Sequence, residues 1–286
     1  MALLTGKVAL VTGAGGGLGR CHALALATEG AKVVVNDLGG ARDGSGRGAH
    51  SPADKVVSEI EALGGQAVAN YDTVASVTGG ERMVQAAIDA FGKLDICVNN
   101  AGILRDKTLA KLTEDLWDPV VDVHLKGTYC VTRPAYNHMR ERGQGGVIIN
   151  TSSTSGLNGN FGQTNYGAAK AGIWGFSRCL AIEGQKAGIR VYILAPVALT
   201  RLTEDLAGMQ AAEMKDKLDP ALVSPLVVYL ASELAKDQTG TTFFVGGGRI
   251  AEMRMVTAKG VTKTDDGGLW TAEEIAARMG EIVLPG

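Results

Sequence analysis

The stretch KVALVTGAGGGLG, residues 7–19, joins an apolar run to a glycine-rich turn and then to the start of a helical pattern. The apolar run is unbroken rather than alternating, which is typical of a strand covered on both faces. Glycine has no Cβ atom, so the turn can be tight and its backbone can approach a ligand closely. The stretch predicts a parallel strand followed by a helix whose N-terminus is open to a bound group.

The same alternation of strand and helix continues along the chain. Further strand-like runs lie at 31–36, 66–71, 94–100, 146–152, 189–195 and 241–246, with helical patterns between them. This order is typical of a doubly wound sheet, in which ligands bind beyond the carboxyl ends of the strands. We predict an α/β Rossmann-like fold, with a seven-stranded parallel sheet and helices on both faces, over residues 1–250. The pattern changes afterwards, which predicts a C-terminal extension over residues 251–286.

The composition excludes several classes of protein. The chain has 286 residues, of which 45% are hydrophobic, and a net charge of −2. A nucleic-acid surface needs a concentrated basic face, and no apolar run approaches the roughly 18 residues of a membrane span. The four cysteines fit no metal site and lie mostly in apolar stretches. We therefore expect buried reduced thiols in a cytoplasmic protein, without a metal and without nucleic-acid or membrane partners.

The glycine-rich turn predicts a site for the pyrophosphate of a dinucleotide. Free N–H groups and the partial positive charge of a helix N-terminus would face the anion. The residues that would form this site are Gly13, Gly17, Leu18 and Gly19. A turn that is glycine-rich only for tight packing is the alternative.

Asp37 predicts which dinucleotide binds. It ends the second strand, 20 residues after Gly17, where an acid can bind the adenosine ribose hydroxyls. A carboxylate there repels a 2′-phosphate, which favours NAD over NADP. Arg42 and Arg47 are the counter-argument, because either could pair with that phosphate. Their glycine-rich loop is either a flap over the adenosine or a surface insertion.

Two further strand ends carry candidate cofactor contacts. Asp72 and Thr73 follow the third strand, where the carboxylate could accept a hydrogen bond from adenine; a turn or capping acid is the alternative. The segment NNAG follows the fourth strand, and its small residues would let the backbone lie against the cofactor. The predicted contacts in this segment are Asn99, Ala101 and Gly102.

Tyr166 and Lys170 are the candidate proton-transfer pair. Four residues apart in a helical pattern, they share one face, and a nearby ammonium would lower the pKa of the phenol. Tyr166 would then take a proton from a substrate alcohol while hydride leaves for the cofactor. Ser153, at the end of the fifth strand, would hold the substrate oxygen. Pairs with this spacing also occur on protein surfaces, but not usually beside the other motifs.

The motifs TGAGGGLG, NNAG, TSS and YGAAK follow their strands in this order over residues 5 to about 250. In this the chain resembles the short-chain dehydrogenase/reductase family. The resemblance implies Tyr166 as acid/base, Ser153 as substrate orienter, and Lys170 also as a ligand of the nicotinamide ribose. It further implies that Pro196 and Thr200 contact the cofactor, although Val197 stands where the family usually has glycine after that proline.

His124, in VHLKG, is a second departure from the family pattern. The family usually has an asparagine there, which supports a water molecule in a proton relay. His124 either replaces that asparagine in the relay or accompanies a reorganised relay. A histidine that only packs in the core is a further alternative.

A narrower resemblance concerns the substrate. NDLGG, VHLKG and SGLNGNFGQTNYGAAK look like the dehydrogenase unit of peroxisomal multifunctional β-oxidation enzymes and its stand-alone bacterial relatives. This implies NAD-dependent oxidation of (3R)-hydroxyacyl-CoA thioesters, including steroid side-chain thioesters. A hydroxysteroid or general secondary-alcohol dehydrogenase is the alternative, and a non-catalytic NAD-binding sensor is a remote one.

Two further predictions concern the surface. Residues 199–219 form either a substrate lid or an amphipathic helix packed on the sheet. The resemblance also implies a homodimer or homotetramer through the helical regions 113–140 and 165–186. Core packing against the sheet would produce the same apolar faces.

Overall fold

The structure is a computed structural model that describes residues 2–41, 43–45, 51–200, 216–264 and 268–284. Its strands are β1 Val8–Thr12, β2 Lys32–Asn36, β3 Ala67–Asn70, β4 Ile96–Asn99, β5 Gly146–Thr151, β6 Ile189–Pro196, β7 Thr242–Gly246 and β8 Arg249–Met253. Its helices are α1 Gly17–Thr28, α2 Ser51–Ala62, α3 Val77–Phe91, α4 Glu114–Val121, α5 Gly127–Arg142, α6 Thr154–Asn158, α7 Thr164–Gly184, α8 Ser224–Ala231, α9 Ala272–Ala277 and α10 Met279–Ile282. A π-helical turn, Asp122–Lys126, joins α4 to α5.

The strands form one sheet in the order β3-β2-β1-β4-β5-β6-β7-β8. Strands β1 to β7 pair in parallel, which confirms the predicted doubly wound fold. The sheet has one strand more than the predicted seven. Gly247 and Gly248, between β7 and β8, both have positive φ (58° and 76°), as a type I′ hairpin turn requires. A two-residue connection leaves no room for a crossover, so β8 runs antiparallel to β7.

The core explains the unbroken apolar strands. Ala9 and Val11 of β1 belong to the hydrophobic cluster on one face of the sheet, and Val8 and Leu10 belong to the cluster on the other face. Helices α1, α2 and α8 pack on the first face, and α3, α5 and α7 pack on the second. Every side chain of the strand is therefore buried, and the motifs are left at the strand ends.

Asp95 anchors the amino edge of the sheet, opposite to the edge that carries the motifs. Its carboxylate accepts the N–H of Val8 at 2.8 Å and pairs with Arg142 at 2.8 Å and Lys93 at 3.1 Å. Burial opposes the charged form, but these partners outweigh it and lower the pKa of Asp95. The anchor therefore ties β1 and the start of β4 to the end of α5.

The cysteines are all free thiols, but they are not all buried. Cys97 and Cys130 are buried, Cys21 is half-buried and Cys179 is exposed. The predicted burial is wrong for Cys179, because α7 turns Ile173 and Ser177 toward the sheet and this residue to the other side. None of the helices in the described part of the chain is both long and apolar enough to cross a membrane.

Residues 253–286 form a compact unit of their own. Thr271 caps α9 through its hydroxyl, and Glu274 returns a hydrogen bond to the backbone of Thr271, which together make a capping box. The ammonium of Lys263 bonds the Glu274 carboxylate at 2.7 Å and lies 5.7 Å from the centroid of the Trp270 ring. These contacts hold the first turn of the helix.

Candidate active site

The glycine-rich turn packs closely against the segment that follows β4. A Cβ atom at Gly13 would lie 2.7 Å from the Cα atom of Ala101, and one at Gly19 would lie 2.2 Å from the carbonyl oxygen of Gly13. Gly17 has φ +51°, a left-handed conformation that favours glycine. Leu18 packs partly buried against the core. Two of the three motif glycines are therefore fixed by close contact, and the third by its backbone conformation.

Two residues absent from the predicted site tie the turn to the NNAG segment. The Thr12 hydroxyl accepts the N–H groups of Asn100 at 3.0 Å and Ala101 at 3.1 Å. The Asn100 side chain donates to the carbonyls of Thr12 at 3.0 Å and Gly13 at 3.2 Å. The signal in the sequence was a hydroxyl residue directly before the first glycine, together with the second asparagine of NNAG.

Asn99 is turned away from the predicted cofactor site. Its side chain is buried and donates to the hydroxyl of Thr132 and to the amide oxygen of Asn150, both at 2.8 Å. The side chain therefore joins β4 to β5 and α5. Only the backbone of Asn99 remains for the predicted cofactor contact.

Asp37 lies at the mouth of the glycine-rich turn. Its carboxylate accepts the N–H of Gly15 at 2.8 Å and the N–H of Gly39 at 2.7 Å. A Cβ atom at Gly15 would lie 2.8 Å from this carboxylate, so Gly15 also belongs to the site. The acid is thus placed beside the predicted pyrophosphate site, while Arg42 and Arg47 lie outside the described residues.

Asp72 and Thr73 hold the turn that follows β3. The Asp72 carboxylate pairs with Arg82 at 2.6 Å and accepts from the Asn70 side chain at 3.0 Å, and the Thr73 hydroxyl accepts the N–H of Ala75 at 3.2 Å. These contacts agree with a turn acid. A carboxylate has further lone pairs, so contact with adenine stays a prediction.

Thr200 lies beside the glycine-rich turn, although it follows β6, which is three strands away from β1 in the sheet. Pro196 ends β6, and four residues later the Thr200 methyl group lies 3.5 Å from where a Cβ atom of Gly17 would be. The segment after β6 therefore borders the predicted cofactor site. The predicted lid continues into residues 201–215, which lie outside the described residues.

Ser153, Tyr166 and Lys170 meet beyond the carboxyl end of β5. Ser153 caps α6, where its hydroxyl accepts the N–H of Ser155 at 3.1 Å, and the same hydroxyl lies close enough to Tyr166 to lower the pKa of the phenol. The ammonium of Lys170 lies 5.5 Å from the centroid of the Tyr166 ring and donates to the carbonyl of Thr151 at 2.6 Å. The hydroxyls of Ser153 and Tyr166 thus form a pair, and the buried amine of Lys170 lies beside the tyrosine ring.

The electrostatics of this group differ from the prediction. Burial raises the pKa of Tyr166 to about 12, against the lowering effect of the Ser153 hydrogen bond. Burial also lowers the pKa of Lys170 to about 7. The predicted lowering of the tyrosine pKa is therefore wrong, because burial disfavours the tyrosinate, and the same burial leaves the neighbouring amine partly neutral at pH 7.

His124 contacts the ring of Tyr166. The two ring centroids are 5.1 Å apart, edge to face, and His124 Nε2 lies 2.8 Å from the carbonyl oxygen of Ile103. The same Nε2 lies 3.1 Å from the backbone nitrogen of Ile103, so the contacts of the ring are compatible with either tautomer, while Nδ1 is buried and has no hydrogen-bond partner in the described structure. Burial keeps the pKa of His124 well below its usual value. Gly102 makes room for the ring, since a Cβ atom there would lie 2.4 Å from it.

Burial of Lys170 predicts a pH-dependent stability. The folded pKa of about 7 lies below the ordinary 10.5, so between these values the unfolded chain binds more protons and the free energy of unfolding rises with pH. Lys170→Met removes this dependence. The free energy of unfolding of the Lys170→Met variant, relative to that of the original protein, should therefore fall by a few kcal/mol, as an order of magnitude, between about pH 7 and pH 10. Urea unfolding at a series of pH values measures this difference, and Lys126→Met, at an exposed lysine, is the control. If the stability of the Lys170→Met variant and that of the original protein changed in parallel with pH, the expected effect of Lys170 burial would be contradicted.

The sequence and the fold resemble proteins of known class. The short chain dehydrogenase family matches residues 7–211. A crystal structure of a short chain dehydrogenase from Mycobacterium avium has a TM-score of 0.86 at 44% identity, covering 99% of this chain and 98% of that chain. The peroxisomal multifunctional enzyme type 2 of Mus musculus is 49% identical over 249 residues, which are 87% of this chain and 33% of that enzyme. A hydroxyacyl-CoA dehydrogenase of Mycobacterium tuberculosis is 36% identical over 289 residues, covering 96% of this chain and 88% of that protein.

Proposed function

Because the chain belongs to the short-chain dehydrogenase family, as its motifs indicated, we propose that it oxidises the 3-hydroxyl group of a hydroxyacyl-CoA thioester with NAD. Membership makes the protein an oxidoreductase that acts on CH–OH groups with a nicotinamide cofactor. The similarity to a hydroxyacyl-CoA dehydrogenase along 96% of the chain carries the proposed substrate. The 49% identity to a peroxisomal multifunctional enzyme supports it, although the chain spans only a third of that enzyme's length.

The residues present fit a dinucleotide. The glycine-rich turn leaves no room for a Cβ atom at Gly13 or Gly19, and the Asp37 carboxylate lies at its mouth. Gly13, Gly17 and Gly19 would hold the pyrophosphate, and Asp37 the adenosine ribose. When bound, an oxidised nicotinamide supplies the hydride acceptor and a positive charge.

The protein's own groups would move the proton. Ser153 would hold the substrate oxygen through its hydroxyl, next to the Tyr166 oxygen, which takes the proton once it is ionised. With a pKa of about 12, Tyr166 needs added positive charge to ionise near neutral pH. In its protonated form, Lys170 would contribute part of that charge, because its ammonium lies 5.5 Å from the centroid of the ring.

A substrate panel tests the proposal. Steady-state kcat/KM is measured with NAD for (3R)- and (3S)-hydroxyacyl-CoA thioesters of increasing chain length, for steroid side-chain thioesters and for free hydroxysteroids. We expect the highest kcat/KM for a (3R)-thioester. A much higher value for a free steroid would reverse the choice in favour of a hydroxysteroid dehydrogenase, and turnover of neither class would refute both.

The charge of Asp37 should set the choice between NAD and NADP. Asp37→Asn removes the charge and keeps an oxygen that can accept from Gly15 or Gly39. The ratio of kcat/KM for NAD to that for NADP should fall about tenfold or more, since a 1.4 kcal/mol change in repulsion is tenfold. Asp43→Asn, an exposed acid in the same loop, is the control and should keep the ratio. A higher kcat/KM with NADP in the unmodified protein would refute the argument.

We also propose that the protein is a cytoplasmic homodimer or homotetramer that contacts itself through α5 and α7. Tyr129 on α5 and Ile182 on α7 are 42% and 71% exposed, which leaves apolar surface on both helices. By contrast Val120, Ile173 and Leu180 are buried in the core, so their apolar character reflects packing on the sheet. Sedimentation equilibrium gives the oligomeric state.

A further inference from the structure

A chain of hydrogen bonds runs from the loop after β4 to the serine of the active site. The Gln163 side chain donates from Nε2 to the Asp106 carboxylate at 2.6 Å and accepts at Oε1 from the Ser155 hydroxyl at 2.8 Å. The backbone N–H of Ser155 in turn donates to the Ser153 hydroxyl oxygen at 3.1 Å. Gln163 is only 5% exposed, so these bonds are shielded from water.

Gln163 also stands at the entry to the helix that carries the tyrosine. It precedes the first residue of α7, and its backbone forms an isolated parallel bridge with Lys107. The fully buried Asn165 makes a second tie, because its amide oxygen accepts the N–H of Tyr166 at 2.8 Å and its amide nitrogen donates to the carbonyl of Arg105 at 3.0 Å. The first turn of α7 is thus held on residues 105–107 at two points.

The carboxylate of Asp106 also acts on the tyrosine, because it is bonded to Gln163, which stands three residues before Tyr166 at the entry to α7. It raises the pKa of Tyr166, in addition to the larger effect of burial. Around the tyrosine in the described part of the chain, the other groups that matter are the Lys170 amine, the neutral His124 ring and the Ser153 hydroxyl. Among these groups Asp106 carries the negative charge, and its effect on the pKa of Tyr166 is opposite to that of the Lys170 ammonium.

We propose that Asp106 and Gln163 are positioning residues of the dehydrogenase reaction: Gln163 ties the Asp106 carboxylate to the loop that carries Ser153, and so keeps the serine and tyrosine hydroxyls together. The inference rests on the proposed function, in which that hydroxyl pair handles the substrate oxygen. The carboxylate has a second effect, which is to hold the phenol in its protonated form until positive charge arrives with the cofactor.

Asp106→Asn tests the electrostatic part. The amide oxygen can still accept from Gln163, but the charge is gone. We expect the Tyr166 titration to move to lower pH by roughly half a unit or more, because a neighbouring like charge disfavours the tyrosinate. It is followed by the ultraviolet absorbance of tyrosinate in the NAD complex, with the Tyr166→Phe protein subtracted. The pH of half-maximal oxidation should move in the same direction.

Asp115→Asn is the matched control. Asp115 is an exposed acid at the start of α4, and only its backbone carbonyl bonds to Arg105. Its substitution should leave the Tyr166 titration in place. Equal titrations in the Asp106 and Asp115 variants would overturn the electrostatic part of the inference.

An exchange of partners tests the positioning part. Gln163→Glu sets two carboxylates against each other and should lower kcat about tenfold, with the KM for NAD unchanged. In the double variant Asp106→Asn, Gln163→Glu, the new amide donates to the new carboxylate, which can still accept from Ser155 and Asn160. We expect kcat to recover to within a few-fold of the original. A double variant no better than the single one would overturn the positioning role.

The two proposals fail separately. The titration needs no substrate, so a shifted Tyr166 titration in a protein that turns over no acyl-CoA thioester would support the electrostatic part of the inference and refute the proposed substrate. Turnover of thioesters with an unshifted titration would do the reverse.

Discussion

Replacement of Tyr166 by phenylalanine is expected to lower kcat about 10³-fold or more, while the affinity for NAD stays nearly unchanged. The substitution removes only the hydroxyl that lies beside Ser153 and would transfer the proton, and positioned acid–base groups contribute about 10² to 10⁴ in rate. The ring remains to pack against His124, so the fold should be kept. Single-turnover rates and calorimetric titration with NAD measure the two quantities.

Tyr129→Phe is the control for this experiment. Tyr129 is 42% exposed on α5 and is not one of the predicted site residues, so loss of its hydroxyl should change kcat less than twofold. Turnover of the Tyr166→Phe protein at the original rate would remove the proton-transfer role, and with it the mechanism proposed above.

Substitution of Gly19 by alanine should have the second large effect. The new Cβ atom would lie 2.2 Å from the carbonyl oxygen of Gly13 and 2.6 Å from the Asn100 amide nitrogen, so the turn, the NNAG segment or both must shift. Overpacking typically costs about 1–3 kcal/mol, and here backbone is the obstacle, so we expect at least about 3 kcal/mol of lost stability. NAD affinity should fall about 100-fold or more. Urea unfolding and NAD titration measure these effects.

Gly16→Ala provides a control within the same turn. Nothing lies within 4 Å of a Cβ atom at Gly16, and its φ of −169° is extended backbone open to any residue. The variant should unfold near the same urea concentration as the original. If Gly16→Ala were as damaging as Gly19→Ala, the contact between the turn and NNAG would not explain the glycine requirement.

Local patterns were sufficient to predict most of the framework. The apolar run at 7–12 became β1, Val8–Thr12, because both faces of the sheet are covered and no alternation is needed. Tyr166 and Lys170 lie on one helix face because a spacing of four residues determines it. Such features depend on neighbours in the sequence, which is why the residues alone indicate them.

Long-range contacts were beyond the same reasoning. Asp106 and Gln163 are 57 positions apart, and Thr12 and Asn100 are 88 apart, so only the assembled sheet brings each pair together. The π-helical turn around His124 is a local change of helix register without a distinctive composition. It was therefore included in one long predicted helix.

The charge state of the site was also beyond sequence reasoning. The spacing of Tyr166 and Lys170 predicts attraction between an ammonium and a tyrosinate, but burial acts on both groups and opposes both charges. The depth of a side chain depends on the whole fold. The direction in which the pKa of Tyr166 shifts could therefore be determined only from the structure.

Laboratory evolution of substrate range can leave the Asp95 anchor untouched. β1 is five residues long, so the edge where Val8 bonds Asp95 lies about 17 Å from the edge that carries the glycine-rich turn. Mutations separated by more than about 10 Å usually add independently. A library directed at residues 154–163 therefore changes only the edge that carries the motifs, and the contacts of Asp95 with Val8, Lys93 and Arg142 continue to stabilise the variants from the other edge.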